Sequence, residues 1–479
     1  MVLKITVLLL ILSAVFMPAH AQEMSGASAS NYAGQNGLDI NPASIVSAPY
    51  KWEIHILSTD VALVNNYMFL KAQSGLIHKS FTGETVSKDQ WPDRYTKSPN
   101  KFAYASAFVK YPAFIWVDKN YAIAFHVSTR LELSANNVPY HLAKFLKEGF
   151  NYTPQQKNDY TANNASVDLL NWHEFGLTFG KPLIDQAGTY LTAAITVNYN
   201  YGLNAYYADI KNLHYDSQAD TLLQIYNADV NYGHALSESN SVGGALQHKG
   251  NGWSANGGVE YYRNRNDNFY NPCSKQQGKP YDYKIGISFM DFGYIKFSKD
   301  AKKFNLNNVS TDWYGIDTVK FRSVTYTDYL FSKQFLGHYD LTQNGNSFTM
   351  YTPAAVSAQA DVPLNEEFYL NLTYVQRISL GPKSIKRSNI WAFTPRYETR
   401  GLEFSLPISL FDYFKPRVGA EIRYHWFTVG SDMIGPFFGF TDSYGADIYF
   451  AIKFQHFGSC DKGGGGRKKS KIEKCNTPK

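Results

Sequence analysis

Leu402-Glu403-Phe404-Ser405-Leu406-Pro407-Ile408-Ser409-Leu410 and Val418-Gly419-Ala420-Glu421-Ile422-Arg423-Tyr424-His425-Trp426 decide the fold class. In the first stretch Leu402, Phe404, Leu406, Ile408 and Leu410 fall on one parity, and Glu403, Ser405, Pro407 and Ser409 on the other. In the second, Val418, Ala420, Ile422, Tyr424 and Trp426 alternate with Gly419, Glu421, Arg423 and His425. A period of two is the mark of a strand with two unlike faces. The same pattern runs through Tyr50–Ile56, Tyr121–Val127, Tyr283–Phe289 and Ile448–Phe454.

Such strands suit a soluble sandwich or a membrane barrel. Three features favour the barrel. Tyr, Trp and Phe gather near the ends of the apolar faces, as in interfacial girdles. The runs are long enough to cross a bilayer when tilted. The opposite face carries charges of both signs, such as Lys51 with Glu53 and Glu421 with Arg423, which suits a wet interior. The expected fold is all-β, a transmembrane antiparallel barrel of about 14 strands, with 12 to 16 as the range. Thirteen runs are clear: 50–65, 103–117, 120–134, 171–183, 189–203, 253–264, 281–297, 348–362, 368–380, 389–399, 402–411, 416–428 and 444–457. An even count needs a further strand, from a hairpin within 50–70 or from 318–332. The stretches 66–102, 135–170, 204–252 and 298–347 read as long loops, with one short helix at Tyr140–Phe150 and a helical turn at Asp432–Phe440.

Composition agrees. Of 479 residues, 16% are aromatic and only 18% charged, with 36 Tyr and 32 Phe, so disorder is excluded. Beyond the N-terminus no apolar run reaches the roughly 18 residues of a membrane helix. Met1–Ala21 has the form of a secretory signal: Lys4, an apolar Ile5–Phe16, and Ala19-His20-Ala21 before the cleavage point. The expected organisation is a signal peptide (1–21), an N-terminal extension or small plug (22–49), a barrel (50–458) and a basic, flexible periplasmic tail (459–479). The net charge of +6 lies in that tail and in Lys4; basic and acidic residues balance in 22–458. Nucleic acid is therefore not an expected partner. The tail, with Gly463–Gly466 and then Arg467-Lys468-Lys469, is expected to reach peptidoglycan, lipid phosphates or envelope proteins, or to stay solvated. Of the cysteines, Cys460 and Cys475 either close a loop within the tail or remain free thiols, and Cys273 is left over.

Several pieces together carry a resemblance. They are Tyr32-Ala33-Gly34-Gln35-Asn36-Gly37, Asn41-Pro42-Ala43-Ser44, Tyr50-Lys51-Trp52-Glu53-Ile54, Glu174-Phe175-Gly176-Leu177-Thr178-Phe179, Ile287–Phe297, Thr394-Pro395-Arg396-Tyr397 and Tyr444–Tyr449. In this order they resemble a Bacteroidetes outer-membrane barrel family of unknown function, of the type of the long-chain fatty-acid channels and the type IX secretion shuttle barrel. The resemblance implies the outer membrane of a Gram-negative bacterium and a 14-stranded wall. It supplies no substrate.

No enzyme is expected. The chain has no G-x-S-x-G, no H-E-x-x-H and no phosphate loop, and no cofactor or metal motif is found. Asn41, Pro42 and Ala43 form the candidate plug segment, since Pro fixes the backbone and Asn favours a turn. Candidate lumen-lining residues are Lys51, Glu53, His55, His126, Arg130, Glu403, Glu421, Arg423, His425, Asp447 and Lys453. Asp291, in Met290-Asp291-Phe292-Gly293, is expected at a bulge. Two functions remain open: a channel for small or partly hydrophobic solutes, and a structural or partner-binding barrel.

Overall fold

The computed structural model describes residues 24–72, 75, 77, 91–94, 100–149, 152–186, 188–219, 221–237, 246–264, 281–316, 323–337, 344–414 and 416–457. Residues 1–21, read above as a signal, the basic stretch 459–479 and all three cysteines lie outside the described residues.

The strands form one antiparallel sheet that closes on itself, because β1 (Trp52–Asn65) pairs with β20 (Gly445–His456). Next to β1 comes a stave made of β2 (Asn100–Lys110) and β3 (Ala113–Val117), broken at Tyr111-Pro112 where proline cannot donate to the ladder. Then follow β4 (Ala122–Pro139), β5 (Asp159–Gln186) and β6 (Thr189–Ala219). The lower half of β6 pairs with β8 (Gly250–Arg263), which pairs with β9 (Tyr283–Phe297). Next is a stave formed by β11 (Phe348–Tyr351) and β12 (Ala355–Pro363), then β13 (Phe368–Arg377) and β14 (Ile390–Glu398). Two more broken staves, β15 (Leu402–Ser405) with β16 (Ile408–Phe411) and β17 (Pro416–Val418) with β18 (Ala420–Tyr424), lead through β19 (Phe427–Ser431) back to β20. The wall is a closed barrel of 14 staves.

The remaining stave is neither of the two expected. The run 416–428 is itself a hairpin: β18 turns at His425-Trp426 into β19, whose Phe427 faces Tyr424. Residues 50–70 contain no hairpin, and the described residues of 318–332 supply no strand; Val324–Leu336 is a helix, capped by the Ser323 hydroxyl accepting from Tyr326 N at 3.1 Å. The helices within Tyr140–Phe150 and Asp432–Phe440 form at Tyr140–Glu148 and Gly435–Phe438.

Much of the stretches read as loops is strand. The upper halves of β5 and β6 rise past the wall and pair onward with β7 (Leu222–Ala235) and β10 (Ala301–Tyr314). This four-stranded lobe stands above one side of the mouth. Helices Tyr140–Glu148 and Val324–Leu336 pack on one of its faces, through Phe145, Tyr215, Ile225, Trp313, Phe331 and Phe335.

The outer surface of the wall is an apolar belt. Ile54, Phe125, Leu177, Phe179, Val197, Ile287, Phe404, Ile422, Ile448 and Phe454 are exposed on it, as in a membrane-spanning barrel. Among the described residues no helix is long and apolar enough to cross a membrane. The end of the N-terminal segment, where it enters β1, and the end of β20 lie at the edge marked by the short turns 118–121, 364–367 and 399–401. The opposite edge, where β1 ends, is the mouth.

Candidate functional site: the filled lumen

The inward parity of the wall carries ionisable side chains with nearly no solvent exposure. Glu53, His55, His126, Glu403, Glu421, Arg423, Asp447 and Lys453 are buried, and Arg130 is largely so. Two expected members stand elsewhere. Lys51 precedes the first ladder residue and is exposed, its ammonium 5.5 Å from the centre of the outward Trp116 ring. His425 is exposed in the β18–β19 turn with φ 51°, so it leaves the strand parity.

What these charges face is the chain's own N-terminus. Residues 24–49 lie inside the barrel as short helical turns, Ser25–Ala29, Gln35–Leu38 and Pro42–Ile45. The wall holds them largely by main-chain atoms. Glu53 Oε1 accepts from Gln35 N at 2.9 Å. Lys453 donates to Tyr32 O and, at 2.8 Å, to Ala33 O. Lys110 donates to Gln35 O at 2.8 Å and to both Asp39 carboxylate oxygens at 2.9 Å. Glu398 accepts from Asn31 N at 3.1 Å, Glu403 from the Ser30 hydroxyl at 2.7 Å, and Asp432 from Ser25 N at 3.0 Å. Charge-assisted bonds of this kind are stronger than neutral ones, and they approach from several sides of the wall.

Asn41, Pro42 and Ala43 sit deep in this arrangement. Asn41 Oδ1 accepts from Ala43 N at 3.0 Å and so caps the turn that Pro42 opens. Its Nδ2 donates to Val259 O at 3.2 Å and to Gln359 Oε1 at 3.0 Å. Gly258 and Gly286 line its seat; a Cβ at Gly258 would lie 2.1 Å from Asn41 Oδ1. A cavity of about 40 Å³ beside it, lined by Ser44, Glu260, Lys284 and Asp361, has room for a few waters.

The wall charges also bind one another. Arg396 forks onto Asp361 at 2.6 and 2.9 Å and gives Nε to Glu398 at 2.8 Å. Arg423 Nε donates to Glu403 at 2.9 Å, and its guanidinium lies 4.8 Å from the Tyr32 ring centre. Asp447 ties Ser431 Oγ and Asp432 N at 3.1 and 2.7 Å. Glu421 packs against Gly26 and accepts from Tyr449 at 3.3 Å. His55 stands 3.7 Å from Glu53, and His126 3.1 Å from Glu174.

Nearer the mouth a strut crosses the lumen. Arg130 of β4 forks onto Asp291 of β9 at 2.8 and 2.9 Å, stacks 4.9 Å from the Trp172 ring centre and stands 3.7 Å from Glu174. Asp291 has φ 54° at a bulge where the β8–β9 register slips, so that Met290 and Asp291 both turn inward. Arg387, on the segment between β13 and β14, reaches the same carboxylate at 3.3 Å. That segment dips inward, and its Ile385 joins Leu170, Tyr207, Ile295, Phe297 and Phe348 in an apolar layer.

Lys110, Glu174, Asp361 and Glu398 were not singled out from the sequence. Each occupies the inward parity of its strand, together with Ser106, Trp172, Ser357 and Arg396 respectively. Parity alone would have found them.

These features define a closed antiparallel barrel whose lumen is occupied by its own N-terminal segment. Over residues 42–432 the chain matches the family described as "Family of unknown function (DUF5723)". It belongs to that family. No curated protein sequence matches it. Among solved structures it is similar to the Ralstonia pickettii toluene transporter TbuX (TM-score 0.42, 8% identity, 92% of this chain and 100% of that one). Another is the P. putida toluene transporter TodX (0.42, 10%, 92% and 99%). A third is the translocator domain of the autotransporter NalP from Neisseria meningitidis (0.33, 8%, 91% and 100%). The barrel described above rests on its own hydrogen-bond ladder, not on these likenesses.

Proposed function

We propose that this chain is an outer-membrane barrel, exported by the signal at 1–21, that acts as a gated channel for small solutes and is closed at rest by residues 24–49. The short-turn edge then faces the periplasm and the lobe faces outward, the usual disposition of such barrels. The tail at 459–479 follows β20 into the periplasm. The observation that carries this is the way the N-terminal segment is held. Lys110, Lys453, Glu53 and Glu398 grip it by non-covalent polar bonds to its main chain, with a polar seam beside it. Such bonds exchange for water when the segment moves, and the Arg130–Asp291–Arg387 strut and the Ile385 segment nearer the mouth shift with it to open the path.

Planar-bilayer recording tests this. The native chain is expected to be closed or to open rarely. A Lys110→Met/Lys453→Met double variant, folded as judged by its compact migration in unheated detergent gels, is expected to conduct persistently. A folded double variant whose segment is accessible to protease but which passes no current overturns the proposal.

A structural or partner-binding barrel is the second reading, and the Arg130–Asp291–Arg387 strut favours it, because it spans the lumen independently of the N-terminal segment. It requires that no loosening of the segment opens a pore and that a partner co-purifies in mild detergent.

A further inference from the structure

A second cavity, of about 260 Å³, opens in the mouth between the ends of β4 and β13, on the outer side of the strut. It is lined by Asn136, Arg377, Ser379 and Lys386, among others. Its polar groups are chiefly donors. Asn136 is buried, and its Oδ1 accepts from Tyr104 OH at 2.7 Å, yet its Nδ2 has no partner. A buried donor left unpaired is costly unless something else fills its place. The Arg377 fork is engaged through Nη1 alone: by Tyr104 OH at 2.6 Å, Asp412 at 3.2 Å and Arg387 O at 3.4 Å. Nη2 and Nε have no protein partner among the described residues. Lys386 has a single long contact, 3.5 Å to the Ser166 hydroxyl. Asp412 takes only the Nη1 side of Arg377, and the carboxyls of Asp168 and Asp209 lie within electrostatic reach of Lys386 without a direct ion pair.

We propose that this mouth cavity is a binding site for a small solute carrying an oxyanion, a carboxylate or a phosphate, on a polar body of about monosaccharide size. The free edge of Arg377 presents two parallel N–H groups, the geometry that takes an oxyanion in a fork. Lys386 adds a mobile charge, and Asn136 lines the opposite wall. The volume falls just under the roughly 300–1,000 Å³ of drug-sized pockets, which limits the ligand to small molecules. For its purpose the site rests on the channel proposed above, as the place where a solute is first held. Binding itself needs no open pore.

Isothermal titration of the detergent-purified full chain with D-glucuronate, D-glucose 6-phosphate and D-glucose at matched ionic strength tests it. At least one anion is expected to saturate the site while glucose binds about tenfold more weakly or worse, as the loss of a charge-assisted bond implies. The order of the two anions tells carboxylate from phosphate. Lys386→Gln, which gives up one long hydrogen bond and the attraction of Asp168 and Asp209, is expected to weaken the anion about tenfold. Asn136→Asp, which places a negative charge in the cavity wall, is expected to abolish binding. Equal titration by glucose and both anions overturns the proposal, as does unchanged anion affinity in a folded Lys386→Gln protein. Anion binding in a chain that never conducts defeats the channel and leaves the site; conduction without anion binding does the reverse.

Discussion

At the scale of single residues, the lumen is organised by carboxylates and ammonium groups that end on main-chain atoms of the N-terminal segment. Gly34 shows how close that fit is. Its φ is +64°, and a Cβ there would lie 1.8 Å from Glu53 Oε2. Gly34→Ala therefore meets both a positive-φ backbone (φ 64°, ψ −132°) outside the left-handed helical well, which costs other residues on the order of 1–3 kcal/mol, and an overlap with a buried carboxylate that cannot yield without losing Gln35 N. The segment should leave its seat while the wall stays closed. Limited proteolysis followed by N-terminal sequencing should show cleavage within 24–49 in Gly34→Ala and protection in the native chain, with the urea midpoint of the barrel nearly unchanged. Protection equal to the native chain would mean that Glu53 is not a fixed wall group. The expectation that Asn41-Pro42-Ala43 enters the barrel came from turn chemistry. The partners that hold the rest of the segment were legible only as inward parity, since no local signal says which buried charge will meet a main-chain atom from about 400 residues away, as Lys453 meets Tyr32.

Elements were legible where one face meets lipid and the other the lumen, because only then does period two stand out. Where bulges shift the parity it fades: Asn164 has φ 55°, and the β6–β7 register slips after Ile210 and after His214. The upper halves of β5 and β6, with Ala162-Asn163-Asn164-Ala165 and Ala208-Asp209-Ile210-Lys211, stand above the apolar belt and read as loop. The β18–β19 hairpin was hidden for the opposite reason: Tyr424, His425 and Trp426 keep the alternation going through the turn, and no Gly, Asn or Pro announces it. A helix packed on the lobe carries a pH-sensitive group. In helix Tyr140–Glu148, His141 stacks 4.5 Å from the Tyr160 ring centre, and burial lowers its imidazole to about 4. On the other side Asp93 accepts from Lys144 at 2.7 Å and Lys147 at 2.6 Å. Burial raises this carboxyl, but the bonds from Lys144, Lys147 and Tyr140 outweigh it and hold it well below the usual range. A depressed imidazole stabilises the fold above its unfolded value of about 6.5, and that contribution drains away as pH falls toward 4, because the unfolded form binds the extra proton first. Asp93, already ionised throughout that window, does not oppose it. Hydrogen exchange of residues 140–148, corrected for intrinsic rate, should therefore speed up between pH 6.5 and 4 in the native chain and stay flat in His141→Phe. Equal pH dependence in the two proteins would remove His141 as the cause.

For the whole molecule, the aromatic excess divides between two surroundings. Phe125, Phe179, Trp253, Trp391 and Phe454 face outward, whereas Trp172, Tyr207, Phe297, Phe348, Phe411 and Tyr449 are buried inside. A lipid girdle alone would leave the second group unexplained; a lumen filled jointly by the N-terminal segment and by large wall side chains accounts for it. The belt itself makes the strongest demand on the fold. Ile287 is 60% exposed near the middle of β9, flanked outward by Ile285, Phe289 and Val259. In water an Arg there is nearly neutral, because exposed positions tolerate charge. In a bilayer it costs about 2–4 kcal/mol at mid-depth, falling toward the interfaces. Ile287→Arg and the rim substitution Tyr424→Arg should therefore separate when refolding into phospholipid vesicles is followed by urea titration: a clear drop in midpoint for the first, little change for the second. In detergent micelles, which deform around a charge, the gap should narrow. If Ile287→Arg folds into vesicles as stably as the native chain, the apolar belt does not lie in lipid, and the channel and the outer-membrane location proposed here fail together with it.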